Sequence, residues 1–244
     1  MVTDAAAARQ FYASLFGWDI QEGPPETGGY AMCLLQGRPA AAIMPKPEGN
    51  PAPTIWTTYL AADDLDATAA KAKTAGAEFM MEPMDVMTAG RIAVAKDPAG
   101  APFGMWQAGD HLGFGIFNEP GAVVWNEAMT RDYQGAKAFY ANVFGHTYEE
   151  VGEGAYSTIK LANTGDIVGG LGALDASTPA DVPPSWGTYF MVEDCDASVA
   201  KALELGATVT REPVDTPFGR MATVTGAQGE AFSLVQPPAQ SPQA

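Results

Sequence analysis

The sequence predicts an α+β protein of two tandem domains, each built from paired βαβββ modules. Three repeats carry that prediction. ARQFYASLFGW (8–18) returns as AKAFYANVFGH (136–146), an offset of 128. TIWTTYLAADDLDATAAKAKTAGAEFMMEP (54–83) matches PSWGTYFMVEDCDASVAKALELGATVTREP (184–213) at an offset of 130. GRIAVAKDPAGAPFGMWQ (90–107) matches GRMATVTGAQGEAFSLVQ (219–236) at 129. A period this long, drifting by one or two residues, marks duplicated domains rather than a solenoid. Domain 1 is read as 1–112 and domain 2 as 113–237, with 238–244 a flexible tail.

Each half opens with a helix. Asp4 and Asp132 are suited to cap it, and Gly17 and Gly145 to end it. Phe11, Tyr12, Leu15 and Phe16 share one face, as do Phe139, Tyr140, Val143 and Phe144. Three short strands follow, at 18–22, 30–36 and 39–44, repeated at 146–151, 156–162 and 166–172. A strand then ends in a double acid (TTYLAADD, TYFMVED), whose acids cap a second helix over 64–75 and 194–205, stopping at Gly76 and Gly206. Three further strands complete the half: 78–82, 90–96 and 102–107, matched by 208–212, 219–225 and 231–236. AVVWNEAM (122–129) is a strand ahead of the second half's first helix. Met1 aligns with Met129, so domain 1 either lacks its first strand or begins at an internal methionine. GFGIFN (113–118) could partly fill the gap, which would otherwise leave strand groups unpaired.

The chain has 244 residues, 29 acids against 13 bases, and a net charge of −16. Such a surface repels phosphate backbones and anionic lipid, so nucleic acid and membrane are not expected partners. With 47% hydrophobic and 10% aromatic residues it can bury two cores. Its two cysteines, Cys33 and Cys195, are too far apart for a local metal clip and read as core thiols. No apolar run reaches membrane-spanning length and no leader pattern is visible, which points to a cytoplasmic protein. The glycine-rich GGLGAL (169–174) lacks the strand-to-helix context of a nucleotide loop. No GxSxG elbow or P-loop occurs.

The order of elements, the FY…LFGW helix and DPAGAPFGMWQ resemble the vicinal oxygen chelate superfamily, whose members include glyoxalase I, bleomycin-resistance proteins and extradiol dioxygenases. The resemblance covers the whole chain. VVWNEAMTRD and QAGDHLGFGIFNEPG are similar to a tandem glyoxalase-like or hydroxylase-like subgroup. It implies half-open barrel sheets and, in members with metal chemistry, His, Gln or Glu ligands on inward strand positions. Carried over residue by residue, those positions hold Thr57, Gly187, Gly104, Ser233 and Trp125. None is a good ligand for a divalent ion, so no metal and no other cofactor is expected. The two histidines, His111 and His146, read as solvated loop residues.

Strand alternation defines what the pockets offer instead. Tyr59 and Trp106 should point inward in the first half. Trp125, Glu127, Met129, Tyr189, Met191 and Ser233 should do so in the second. Arg91 and Arg220, at matching positions, are expected to face the same cavities, a salt bridge to Asp85 or Asp215 being the alternative. Glu127, a carboxylate among aromatic rings, is the candidate general base. An apolar, aromatic lining suits a small-molecule site. The sequence therefore predicts a metal-independent small-molecule binding protein of the bleomycin-resistance type. Alternatives are a metal-free lyase, isomerase or hydroxylase, or glyoxalase-like detoxification of a reactive carbonyl. A tandem chain can close its cavities internally, which favours a monomer over a homodimer.

Overall fold

The computed structural model describes residues 1–50 and 52–238; the expected tail at 238–244 lies, apart from Pro238, outside them. The helices form where capping chemistry places them. α1 (Ala5–Phe16) starts at Asp4, whose carboxylate accepts the Ala7 N–H, and stops at Gly17 in the left-handed conformation. α3 (Tyr133–Phe144) repeats this with Asp132 and Gly145. α2 (Leu65–Thr74) and α4 (Cys195–Glu204) are capped by Asp64 and Asp194. A side-chain acceptor here satisfies an N–H that the first helical turn leaves without a partner. Among the described residues no helix is long and apolar enough to cross a membrane.

Fifteen strands accompany them among the described residues. The first half supplies β1 (Asp19–Glu22), β2 (Ala31–Leu35), β3 (Arg38–Ile43), β4 (Tyr59–Ala61), β5 (Glu78–Val86), β6 (Gly90–Lys96) and β7 (Pro102–Ala108). The second supplies β8 (Val123–Thr130), β9 (Thr147–Glu150), β10 (Tyr156–Lys160), β11 (Ile167–Ala173), β12 (Ser185–Met191), β13 (Thr208–Thr216), β14 (Gly219–Thr225) and β15 (Ala231–Gln236). β5 and β13 run four residues past their expected ends at 82 and 212. Both pass through a proline, Pro83 or Pro213, and both shift register twice on the way. A proline cannot donate to a ladder, and an edge strand with bulges tolerates it. Each of these strands is the last in its row.

The gap ahead of α1 is partly bridged. Val2 pairs with Pro45 in a single parallel bridge, as Thr130 of β8 pairs with Ala173 of β11. The N–H groups of Gly115 and Ile116 both donate to the Pro39 carbonyl, and Ile116 is fully buried beside it.

Compaction does not follow the repeat boundary. Of the described residues, one unit contains those within Met1–Trp56, Phe114–Val124 and from Thr188 to Pro238; the other contains Thr57–Gly113 and Trp125–Gly187. The first unit thus combines α1 and β1–β3 with α4, β13–β15 and most of β12. The second combines α2 and β4–β7 with α3, β9–β11 and most of β8. Each has its own core, around Tyr12, Phe16, Phe190 and Phe232 in the first and around Phe103, Met105, Phe139 and Tyr140 in the second. A fully buried Leu or Phe side chain contributes about 1.5–3 kcal/mol. The division at 112 is one of sequence repeats, and each compact unit takes a module from either side of it.

A buried polar chain joins the two modules in each unit. In the first, Trp56 Nε1 donates to Tyr12 Oη (3.1 Å), which donates to Glu230 (2.8 Å). In the second, Trp186 Nε1 donates to Tyr140 Oη (2.8 Å), which donates to Asp97 (2.9 Å). Burial, then the adjacent carboxylate, pushes both phenols well above their usual range. The tryptophans and tyrosines are repeat counterparts, but the acids are not. Asp97 opens its turn and aligns with Gly226, whereas Glu230 closes its turn and aligns with Ala101. A Cβ at Gly226 would lie 2.3 Å from Glu230 Oε1, so Glu230 occupies the space that an acid at 226 would need.

Candidate functional site

The second unit gathers Tyr59, Trp106, Trp125, Glu127 and Met129, which come from both sequence halves. The helix side of its sheets is settled by burial: Ala93, Ala95, Phe103 and Met105 lie in the core with Leu65 of α2. Alternation then puts Ile92, Val94, Gly104 and Trp106 on the opposite, helix-free face. β4 runs parallel to β7 with Tyr59 beside Gly104, and β6 sets Ile92 opposite Trp106. Met81 and Met84 of β5 lie across from Val94 and Ile92 and are exposed. From the other module, β8 aligns Glu127 with Gly170 and Met129 with Gly172 of β11. Thr58 Oγ1 and Asn126 Oδ1 meet at 2.9 Å, tying the strand that carries Tyr59 to the one that carries Trp125 and Glu127.

Glycines determine how the rings lie. A Cβ at Gly104 would fall 2.2 Å from the Tyr59 ring. At Gly170 it would fall 2.0 Å from Tyr156 Oη, and at Gly172 2.8 Å from the Tyr156 ring. Both tyrosines therefore rest flat on bare backbone. Tyr156 Oη donates to Glu127 Oε2 (2.6 Å) and accepts from Trp125 Nε1 (3.1 Å). Burial and then the Glu127 carboxylate push its phenol up. Trp106 is anchored through Nε1 to the His111 carbonyl (2.9 Å). The sequence reading missed Tyr156, Met81 and Met84. The signal for Tyr156 was available in GGLG, a strand stripped of side chains opposite an aromatic residue.

In the first unit Tyr189 pairs in register with Ser233 and Met191 with Val235. Ser233 Oγ shares a hydrogen bond with Thr223 Oγ1 (3.1 Å). Phe190, Phe232 and Leu234 occupy the core face. Two crevices in this unit are lined by other residues. One involves Tyr12, Ala42, Met44, Trp56 and Glu230; the other involves Ala8, Phe11, Leu205 and Gln228. Neither contains an expected site residue. Both border Glu230, whose carboxylate is engaged by Tyr12 and by the Gln228 N–H.

Three placements differ from expectation. Arg91 does not face a cavity but turns to the helix side, making the bond to Asp85 (2.9 Å) that the sequence offered as the alternative, together with a forked contact to Asp66 of α2 (2.7 and 3.1 Å). Arg220 is held likewise by Asp196 of α4 and by Asp215. The reason is alternation, since Arg91 neighbours Ile92, which lies opposite Trp106. The guanidinium beside each helical acid, Asp66 or Asp196, holds that carboxyl below its usual range. His146, expected in solvent, is buried and stacks on Phe144 with ring centroids 5.5 Å apart.

The positions from which a family-type metal would be held carry Thr57, Gly187, Gly104, Ser233 and Trp125, with the Tyr59 ring over Gly104. This donor set does not fit a divalent ion. Among the described residues no three His, Cys, Asp or Glu side chains converge.

Residues 1–105 and 122–234 match the model of the Glyoxalase/Bleomycin resistance protein/Dioxygenase superfamily. The chain is 41% identical over 240 residues to "Putative glyoxylase CFP32" of Mycobacterium tuberculosis, covering 96% of this chain and 91% of that protein. It is 38% identical over 247 residues to "Anthracycline biosynthesis protein DnrV" of Streptomyces peucetius, covering 96% and 89%. Among solved structures, the Mn(II)-bound glyoxalase of Novosphingobium aromaticivorans superposes with a TM-score of 0.63 at 16% identity, covering 97% of this chain and 80% of that one. The 2,3-dioxygenase LapB of Pseudomonas sp. KL28 gives 0.63 at 10% identity, covering 98% and 91%. Two helix-led modules per half, the duplicated sequence and these matches agree: the chain belongs to the glyoxalase/bleomycin resistance protein/dioxygenase superfamily.

Proposed function

We propose that the helix-free face of the second unit binds a largely apolar, planar aromatic small molecule, without a metal of the family type. The observation that carries this reading is the laying of Tyr59 and Tyr156 over Gly104 and Gly170. Flat rings there offer stacking surface, and Trp106, Trp125 and Met129 extend it. A relative named for anthracycline biosynthesis is consistent with a planar, polycyclic ligand. A metal-free lyase, isomerase or hydroxylase using Glu127 is the second reading, favoured by a carboxylate held at 2.6 Å from a phenol on the same face.

Fluorescence titration with 2-methoxyanthraquinone, after dialysis against EDTA, tests the first reading. Binding should persist without metal, and Trp125→Ala should weaken it about tenfold, the loss of a stacking partner worth about 1 kcal/mol or more. Binding that vanishes with EDTA and returns with added Mn(II) or Zn(II) would overturn it.

A further inference from the structure

We propose that the helix-free face of the first unit binds a small monocarboxylate with an apolar body, through Arg211, Thr223 and Ser233. This site is independent of the aromatic site read in the second unit. Different residues form it, and it takes a different class of ligand.

Core packing fixes the face. Ala222 and Val224 of β14, with Phe232 and Leu234 of β15, lie in the first unit's core. Alternation therefore turns Thr223 and Ser233 to the helix-free side. These two pair in register, and their hydroxyl oxygens lie 3.1 Å apart. β13 sets Arg211 opposite Thr223. One polar row thus crosses three adjacent strands, spanning about 10 Å at the usual strand spacing. It runs from exposed Arg211 through half-buried Thr223 to buried Ser233.

The same row in the second unit is apolar. At the offsets of the repeat, Arg211, Thr223 and Ser233 stand where that unit has Met81, Val94 and Gly104, which pair in the matching register. Three exchanges along one row turn an apolar surface into one of hydrogen-bond donors. Arg211 also lacks what the other arginines have. Arg9, Arg38, Arg91, Arg131 and Arg220 each make an ion pair or a hydrogen bond. Among the described residues Arg211 makes neither, in a chain with 29 acids against 13 bases.

A guanidinium presents a planar fork of N–H donors that matches a carboxylate. The Thr223–Ser233 bond uses one of the two hydroxyl protons and leaves the other to donate to a ligand oxygen. A row that contains donors and no acid fits the acceptor oxygens of an anion. One guanidinium balances one charge, and the chain's net charge of −16 opposes a multiply charged ligand. Met221 and Val235 pair in register beside the row and offer apolar contact to the rest of the molecule. An exposed ion pair contributes little by itself, so the preference for a carboxylate over a neutral isostere should be about tenfold, shared between Arg211 and the hydroxyl pair.

The test compares cyclohexanecarboxylate with cyclohexanecarboxamide by isothermal titration calorimetry of the whole chain at pH 7. The probes share shape, differ in charge, and have no flat ring to stack on the aromatic face. Wild type should favour the acid about tenfold, and added salt should reduce the preference. Arg211→Met should weaken binding of the acid about fivefold and leave that of the amide unchanged. The double variant Thr223→Val/Ser233→Ala should lower the preference while Arg211 remains. Equal binding of acid and amide, no binding of the acid, or a preference that survives Arg211→Met would overturn the proposal. Loss of acid binding in Trp125→Ala but not in Arg211→Met would place the acid on the aromatic face and overturn it too. Tighter binding of inorganic phosphate than of the acid would overturn the assignment to a monocarboxylate.

Discussion

His146 stands where the first half has Trp18, and the exchange has a cost. Trp18 donates its Nε1 to the Gly121 carbonyl at 2.7 Å. His146 Nδ1 is buried and has no hydrogen-bond partner among the described residues. Burial alone pushes its pKa down to about 4. The unfolded chain takes up this proton from about pH 6.5 downward, whereas the folded chain resists until about pH 4. Its contribution to stability is therefore complete above pH 6.5 and is lost progressively as pH falls to about 4. The loss is up to about 3 kcal/mol, from roughly 1.4 kcal/mol for each unit of pKa difference. Urea unfolding of His146→Phe should show a shallower decline between pH 6.5 and 4 than wild type. Parallel curves would show that another group sets the acid sensitivity.

At the scale of elements, the two turn carboxylates carry the most information. Asp97 sits at the start of the β6–β7 turn and accepts from the backbone N–H groups of Ala99 and Ala101 as well as from Tyr140. Glu230 sits at the end of the β14–β15 turn and accepts from Tyr12. Glu230→Ala should destabilise the chain by about 1.5–3 kcal/mol, because a buried phenol loses its charged acceptor. Adding Gly226→Asp to that variant should recover part of the loss, since it recreates the arrangement seen around Asp97. Chemical denaturation of the single and double variants measures this directly. If the double variant is less stable than the single, the two turns are not interchangeable. The surface ion pairs of Arg91 and Arg220 matter less at this scale, since exposed pairs contribute little in water.

At the scale of the whole chain, both compact units draw on both halves of the sequence. Residues 1–112 alone would carry one module of each unit. Tyr12 would lack Glu230, and Asp97 would lack Tyr140. Expressed separately, 1–112 and 113–238 should each fail to give a monomer with cooperative unfolding, while mixing them should yield a 1:1 complex. Analytical ultracentrifugation and denaturation of the two fragments check this. A cooperatively folded monomer of 1–112 would show that one sequence half builds its own unit.

Much of this architecture was legible in the sequence, because its determinants are local. The Asp caps, the left-handed glycines at 17 and 145, the period-two strands and the duplicated helix fix each element from its own residues and immediate neighbours. Which way Trp106 points from its own strand also follows from alternation. What a strand's own pattern leaves open was decided by tertiary structure. Alternation along β6 alone could not say which face Arg91 takes; the pairing that sets Ile92 opposite Trp106 decided it, and Asp66 on α2 then came within reach. Tyr156 was invisible as a site residue because its role depends on Gly170 and Gly172 across a strand pairing. The pairing of modules across the repeat was invisible for the same reason. It depends on buried contacts between residues more than two hundred positions apart, such as Tyr12 with Glu230. The sequence determined the modules and their chemistry; tertiary packing determined which modules meet, and so which side chains stand together at the candidate site.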